Sequence, residues 1–175
     1  MLLLTFQRIM RLLRVDWIPT FGMSTYQFTD YFKGFENVGA VRKLFGERTK
    51  EILRSLKVQF VPLVGYMAVS NRDGRILVSS RYLNNGDRID VYLDVIHELV
   101  HVKQFMQGKE LFDVHYGYTE RPTEIEAYRY AVDEAKSLGL SDDRICDYLK
   151  TEWMSNQALR RLAKTLSVKC PDTTD

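Results

Sequence analysis

Two of the chain's three histidines, His97 and His101, stand four residues apart, with Glu98 directly after the first. No other feature restricts the fold as strongly. If the segment is helical, both imidazoles leave the same face one turn apart and can reach a single ion. Glu98 then lies about 100° around the axis from His97, close enough to hold a water on that ion without displacing it. The helix is well signalled. Asp87 is a natural N-cap after Asn84-Asn85-Gly86, the pattern runs from about Arg88 to Gln107, and Gly108 suits the C′ position. On a helical wheel Asp90, Leu93, Asp94, His97, His101 and Gln104 share one arc, and Val91, Val95, Leu99, Val102 and Met106 share the opposite one. The domain must therefore bury a helix whose polar strip faces a cleft. Asp94 has two readings, a carboxylate that orients a ligand histidine or one that is simply solvated.

A catalytic zinc is usually held by three protein ligands and a water. The longer motif with a glycine and a third histidine after the second is absent, because Gln104 and Gln107 occupy those places. Downstream candidates are Asp113, His115, Glu120, Glu124 and Glu126. Pro122 opens a helix in which Ile125, Tyr128, Ala131, Val132, Ala135 and Leu138 form the apolar face. Glu124 falls near the middle of that face, whereas Glu126 points almost the opposite way with Arg129 and Asp133. A carboxylate directed into a buried face needs a partner, and a metal is one. Glu124 is thus the expected third ligand and His115 the runner-up. The competing reading of Glu124 is a cap at N3 of its helix, and that of His115 an exposed loop residue. A di-iron bundle would need a second Glu-x-x-His on another helix, which the chain lacks.

Around these helices the sequence predicts an α+β domain, with a small antiparallel sheet packed on several helices. Val38–Leu56 reads as a helix with Gly46 as its weak point. Val58–Val64 is β-rich and interrupted by Pro62. Tyr66–Ser70 and Arg75–Ser80 read as a hairpin closed by Asn71-Arg72-Asp73-Gly74. Asp16–Gly34 reads as loop with some irregular structure. Ser141 and Ser155 are N-caps of two last helices, ending near Tyr148 and Leu166. One domain over 1–175 is expected. Residues 1–22 form an amphipathic extension, with Arg8, Arg11 and Arg14 spaced by three among apolar residues. Met1–Val15 is expected to pack as a helix on the domain, peripheral contact with a membrane surface being the alternative. Leu2-Leu3-Leu4 lacks the preceding basic residue and following cleavage site of a signal peptide.

A net charge of +2, with scattered lysines and arginines, argues against a nucleic-acid partner. Cys146 and Cys170 are the only cysteines. They suggest neither a disulfide scaffold nor a cysteine-built zinc site, and suit a reducing, cytoplasmic location.

Ile96-His97-Glu98-Leu99-Val100-His101, followed by Thr123-Glu124-Ile125-Glu126-Ala127-Tyr128, resembles the gluzincin peptidases. The HtpX-like/CAAX-protease and ImmA/IrrE-like groups are the nearest likenesses, and both carry a downstream helix of the form Glu-x-x-Ala-(Asp/Asn). The resemblance covers about Leu77 to Ala131. It implies a zincin-like fold, Zn2+ held by His97, His101 and Glu124, and Glu98 as general base for water attacking a peptide carbonyl. It also implies a peptide or protein substrate laid along the strand before the active-site helix, here Arg75–Ser80. Tyr128 stands where those groups carry Asp or Asn, which alters the usual hydrogen bond to the site. The chain has no string of transmembrane segments, so an integral-membrane prenyl-protein protease is excluded. The other class of function is a zincin-shaped metal-binding or regulatory module without turnover.

Overall fold

The computed structural model describes residues 25–62 and 65–171, together with Gln7, Ile9 and 11–13. Thr25–Gln27 (β1) leads into a short helix, Phe28–Tyr31 (α1). Gly39–Phe45 (α2) and Thr49–Ser55 (α3) follow. The single helix expected over Val38–Leu56 is broken at Gly46, whose φ of 60° and ψ of −138° no other residue type adopts readily. Lys57–Val61 (β2) ends at Pro62, and Met67–Val69 (β3) and Ile76–Ser79 (β4) form the expected hairpin. Ser80–Asn85 (α4), capped by Ser79, is a helix that the sequence reading took for strand end and turn. The long helix Arg88–Met106 (α5) is capped by both Asp87 oxygen contacts, to the amides of Ile89 and Asp90. Pro122–Ser137 (α6), Asp142–Leu149 (α7) and Asn156–Thr165 (α8) complete the order, with Ser141 and Ser155 as caps.

The sheet order is β1-β2-β4-β3. It is mixed rather than antiparallel, because β2 and β4 run parallel, Val58 beside Ile76 and Val61 beside Ser79. The hairpin places β3 on the outside, so β4 returns next to β2 in the same direction. Local turn signals fix the hairpin but carry no information about which strand β4 joins.

Helix α5 runs through the core. Val91, Leu93, Val95, Ile96, Leu99 and Val100 are fully buried, which places it among β3, α2 and α6. Ala127, Ala131 and Ala135 form a small-residue stripe that lets α6 approach α5 closely. The Tyr92 hydroxyl donates to Glu134 at 2.7 Å and ties the two helices together. Met106 departs from the predicted core face: it stands 51% exposed on the last turn, where α5 leaves the core. Ile9, Leu12 and Leu13 belong to the buried cluster, in line with a docked amino-terminal helix. Gln7 and Arg11 are exposed, and the rest of Met1–Val15 lies outside the described residues. No helix among the described residues is long and apolar enough to cross a membrane.

Cys146 on α7 and Cys170 in the tail are joined as a disulfide, contrary to the sequence expectation. Their spacing gave no sign of it, since the tail folds back only after α8. The cysteines therefore no longer argue for a reducing compartment. The bridge spans 24 residues of chain, and cross-linking a loop of that size stabilises by about 3.5 kcal/mol in the chain-entropy account. Urea unfolding with and without reductant should show a loss of that order. Identical curves would mean that the bridge contributes nothing.

Candidate metal centre

His97 and His101 leave α5 side by side, their Nε2 atoms 3.0 Å apart. Glu124 reaches them from the first turn of α6, with Oε2 3.3 Å from His97 Nε2 and 3.5 Å from His101 Nε2. All three side chains are buried, and they form the one group of three potential ligands found among the described residues. Glu124 does not serve as a cap, since its helix has no side-chain cap bond. Its second oxygen faces Arg121 at 3.6 Å, which leaves Oε2 to point at the rings.

The donor set fits a zinc ion. Ligands at about 2.0–2.1 Å in a tetrahedron stand about 3.3–3.4 Å from one another. The three observed separations, 3.0, 3.3 and 3.5 Å, bracket that value. Moreover, Glu124 Oε2 is buried and accepts no hydrogen bond, which is costly unless something cationic sits beside it. In the bare chain a proton fills part of that role. Burial alone would lower the His101 pKa, but Glu124, Glu98 and Gln104 outweigh it and push the ring up to about 9. Burial would likewise raise Glu124, yet the two histidines hold it well below the usual carboxylate range. His97 is lowered, chiefly by burial.

Gln104 governs the orientation of His101. Its amide nitrogen donates to the carbonyl of Thr123 at 3.0 Å and to Glu126 Oε2 at 2.9 Å. Its oxygen must therefore face Nδ1 of His101, 2.7 Å away. That ring nitrogen is then the donor, and Nε2 is the atom that carries a free lone pair once the ring is neutral. Glu126, itself paired with Lys109 at 2.9 Å, stands outside the cluster but fixes the residue that orients His101. The wheel had put Gln104 on the histidine arc without giving it a task. Gln104→Ala should weaken zinc binding about 10–100-fold in competition with a chelator, the usual cost of losing an outer hydrogen-bond partner. Gln104→Glu keeps an acceptor for His101 but turns a carboxylate oxygen on the Thr123 carbonyl and Glu126, so it should not recover the loss. Unchanged affinity in the alanine variant would show that packing alone orients the ring.

His97 is treated differently. Its Nδ1 is buried without a partner, and the Tyr128 ring packs edge-on against the imidazole with centroids 4.5 Å apart. The tyrosine thus supplies packing where an Asp or Asn would supply a hydrogen bond. Asp94 fits neither of its two expected readings: it is half-buried, and accepts from Tyr82 at 2.6 Å and Tyr148 at 3.1 Å. Burial pushes it up to about 7, although both tyrosines favour its ionised form.

No family model matches this chain, and no curated protein or solved structure does. The site must therefore be read from its own geometry.

Two cavities, of about 280 and 170 Å3, meet over His97 and Glu98 and share Met67, Tyr118 and Trp153. Glu98 is buried, its Oε2 has no hydrogen-bond partner, and burial pushes its carboxyl up to about 8. Both cavities run along β3, with Met67 in each and Ala68 and Val69 in the smaller. The strand bordering the cleft is therefore β3, at the edge of the sheet, and not Arg75–Ser80, whose β4 lies between β2 and β3. The other ligand candidates stand apart. His115 is exposed and bonds Asp113 at 2.8 Å, and Glu120 faces Arg161 at 3.7 Å on the surface. Tyr118, which lines both cavities and meets the Tyr128 hydroxyl at 3.1 Å, carried no signal in the sequence.

Proposed function

We propose that this chain is a zinc-dependent peptidase of the gluzincin kind. The observation that carries the reading is the convergence of His97, His101 and Glu124 on one point, with the unpaired Glu98 carboxylate beside them on the floor of an open cleft. A zinc ion held by those three residues would lower the pKa of a water and polarise a carbonyl. The protein's own groups do the rest. Glu98, raised to about 8 in the bare chain, would be held ionised by the adjacent dication, accept the proton at its free oxygen and pass it to the leaving amine. Tyr118 stays protonated, held so by burial and by Tyr128 and Glu124, and lines both cavities. The outer edge of β3 offers backbone groups to an extended peptide, which would join the sheet as a further strand.

The full chain, purified and supplied with one equivalent of zinc, should cleave an unfolded protein substrate. Activity should vanish with a chelator and return when zinc is restored. Tight, stoichiometric zinc with no turnover on any unfolded substrate would instead identify a metal-holding binding module.

A further inference from the structure

The larger cavity has chemistry beyond what water activation needs. Tyr66, Tyr82 and Trp153 form one wall, with the Tyr66 ring centroid 4.7 Å from Tyr82 and 5.5 Å from Trp153. Asp90, Asp94 and Asp147 line the same space. Two of these carboxylates are engaged, Asp90 with Arg144 at 2.6 Å and Asp94 with its two tyrosines. Asp147 is exposed on α7 and makes no ion pair or side-chain hydrogen bond among the described residues. Among the described residues the one lysine or arginine lining the space is the exposed Lys150, so carboxylates outnumber it. Glu98 also borders the cavity, more than nine-tenths buried, with Oε2 unpartnered.

We infer that this cavity is a subsite for a cationic group of the substrate, a guanidinium or an ammonium, seated between the aromatic wall and Asp147. The inference rests on the proposed peptidase reading only for the nature of the molecule that carries the cation. Aromatic faces attract a cation through their quadrupole, and more strongly where water is excluded. An unpaired carboxylate at the mouth adds attraction and direction. A volume of about 280 Å3 lies just under the range of clefts that take whole small ligands, so it suits one side chain. The smaller cavity holds the His97, His101 and Glu124 cluster at its base, and away from that cluster Val69, Leu111 and Phe112 give it an apolar wall.

The test does not depend on turnover. Trp153 stands in the wall, so its fluorescence reports occupancy in the full chain. N-acetyl-arginine amide should bind saturably, N-acetyl-norleucine amide should not, and Asp147→Lys should weaken the arginine probe at least tenfold. Asp147→Asn, a milder change on an exposed helix position, should weaken it less and keep the variant comparison valid if the lysine disturbs folding. Norleucine amide with a free α-amine separates the two sources of charge: binding equal to the arginine probe assigns the pocket to a peptide's amino terminus, and failure to bind assigns it to a basic side chain. Equal binding of the two acetylated probes, or arginine binding indifferent to both Asp147 variants, overturns the subsite. Selective arginine binding without hydrolysis of any peptide would keep the subsite and remove the peptidase reading. Hydrolysis of a peptide library without preference for a basic residue or free amine would do the reverse.

Discussion

With alanine at both His97 and His101, the purified chain should retain no zinc, whereas on the proposed reading the unaltered chain should carry one ion. Each imidazole supplies a ligand atom whose replacement on this buried face would have to come from elsewhere, and the described residues hold no second cluster of ligands. A bound structural-type zinc represents about 10–16 kcal/mol, so losing two of three protein ligands removes most of the affinity. A graded series should follow. Glu124→Ala deletes the third ligand and should also weaken binding severely. Glu126→Ala leaves every ligand in place and removes only one of the two acceptors that fix Gln104, so its effect should be small but measurable, less than that of Gln104→Ala. Elemental analysis and chelator competition give the order directly. Full zinc content in the double variant would end the metal assignment, and a larger loss from Glu126→Ala than from Glu124→Ala would reverse the roles of the two glutamates.

That pair shows how much of the site was legible in the sequence. The phase of one helix separated Glu124 from Glu126, because burial of a carboxylate among Tyr128, Ala131 and Ala135 demands a partner. The spacing of His97 and His101 did the same for α5. What periodicity could not supply was the pairing between elements. Gln104 meets Thr123 and Glu126 across nineteen and twenty-two residues of chain, and nothing local to either helix announces that contact. The same limit explains the sheet. Asn71-Arg72-Asp73-Gly74 fixed the hairpin, but whether β4 lay at the edge or beside β2 was settled by non-local packing. Asp94 failed for a related reason. The sequence offered a histidine one turn away as its partner, while Tyr82 and Tyr148, twelve and fifty-four residues distant, supplied the donors instead. The two cysteines met through the fold-back of the tail past α8, which their spacing did not reveal.

The second large effect concerns the base. Glu98→Gln should leave zinc content and fold intact while reducing hydrolysis about 10²–10⁴-fold. The amide matches the carboxylate in length and shape, so the packing of α5 is preserved. It also replaces a titratable group at a buried position where one oxygen has no hydrogen-bond partner, so the variant sacrifices no ion pair. An amide oxygen still accepts a hydrogen bond from a water, but it does not take a proton at neutral pH. The loss should accordingly appear in kcat with KM little changed, because the proposed reading gives substrate binding to the β3 edge and the outer walls of the two cavities rather than to Glu98 at their floor. A rise in KM at constant kcat would assign Glu98 to substrate binding, and unchanged turnover would remove it from the mechanism. Glu98→Asp is the informative companion. It keeps the carboxylate but draws it back by one methylene, and a reaction that depends on the reach of the base tolerates that poorly. A variant in which aspartate matches glutamate would mean that the proton leaves through another group, with the Tyr118–Tyr128 hydroxyl pair the nearest protein route to examine by Tyr118→Phe.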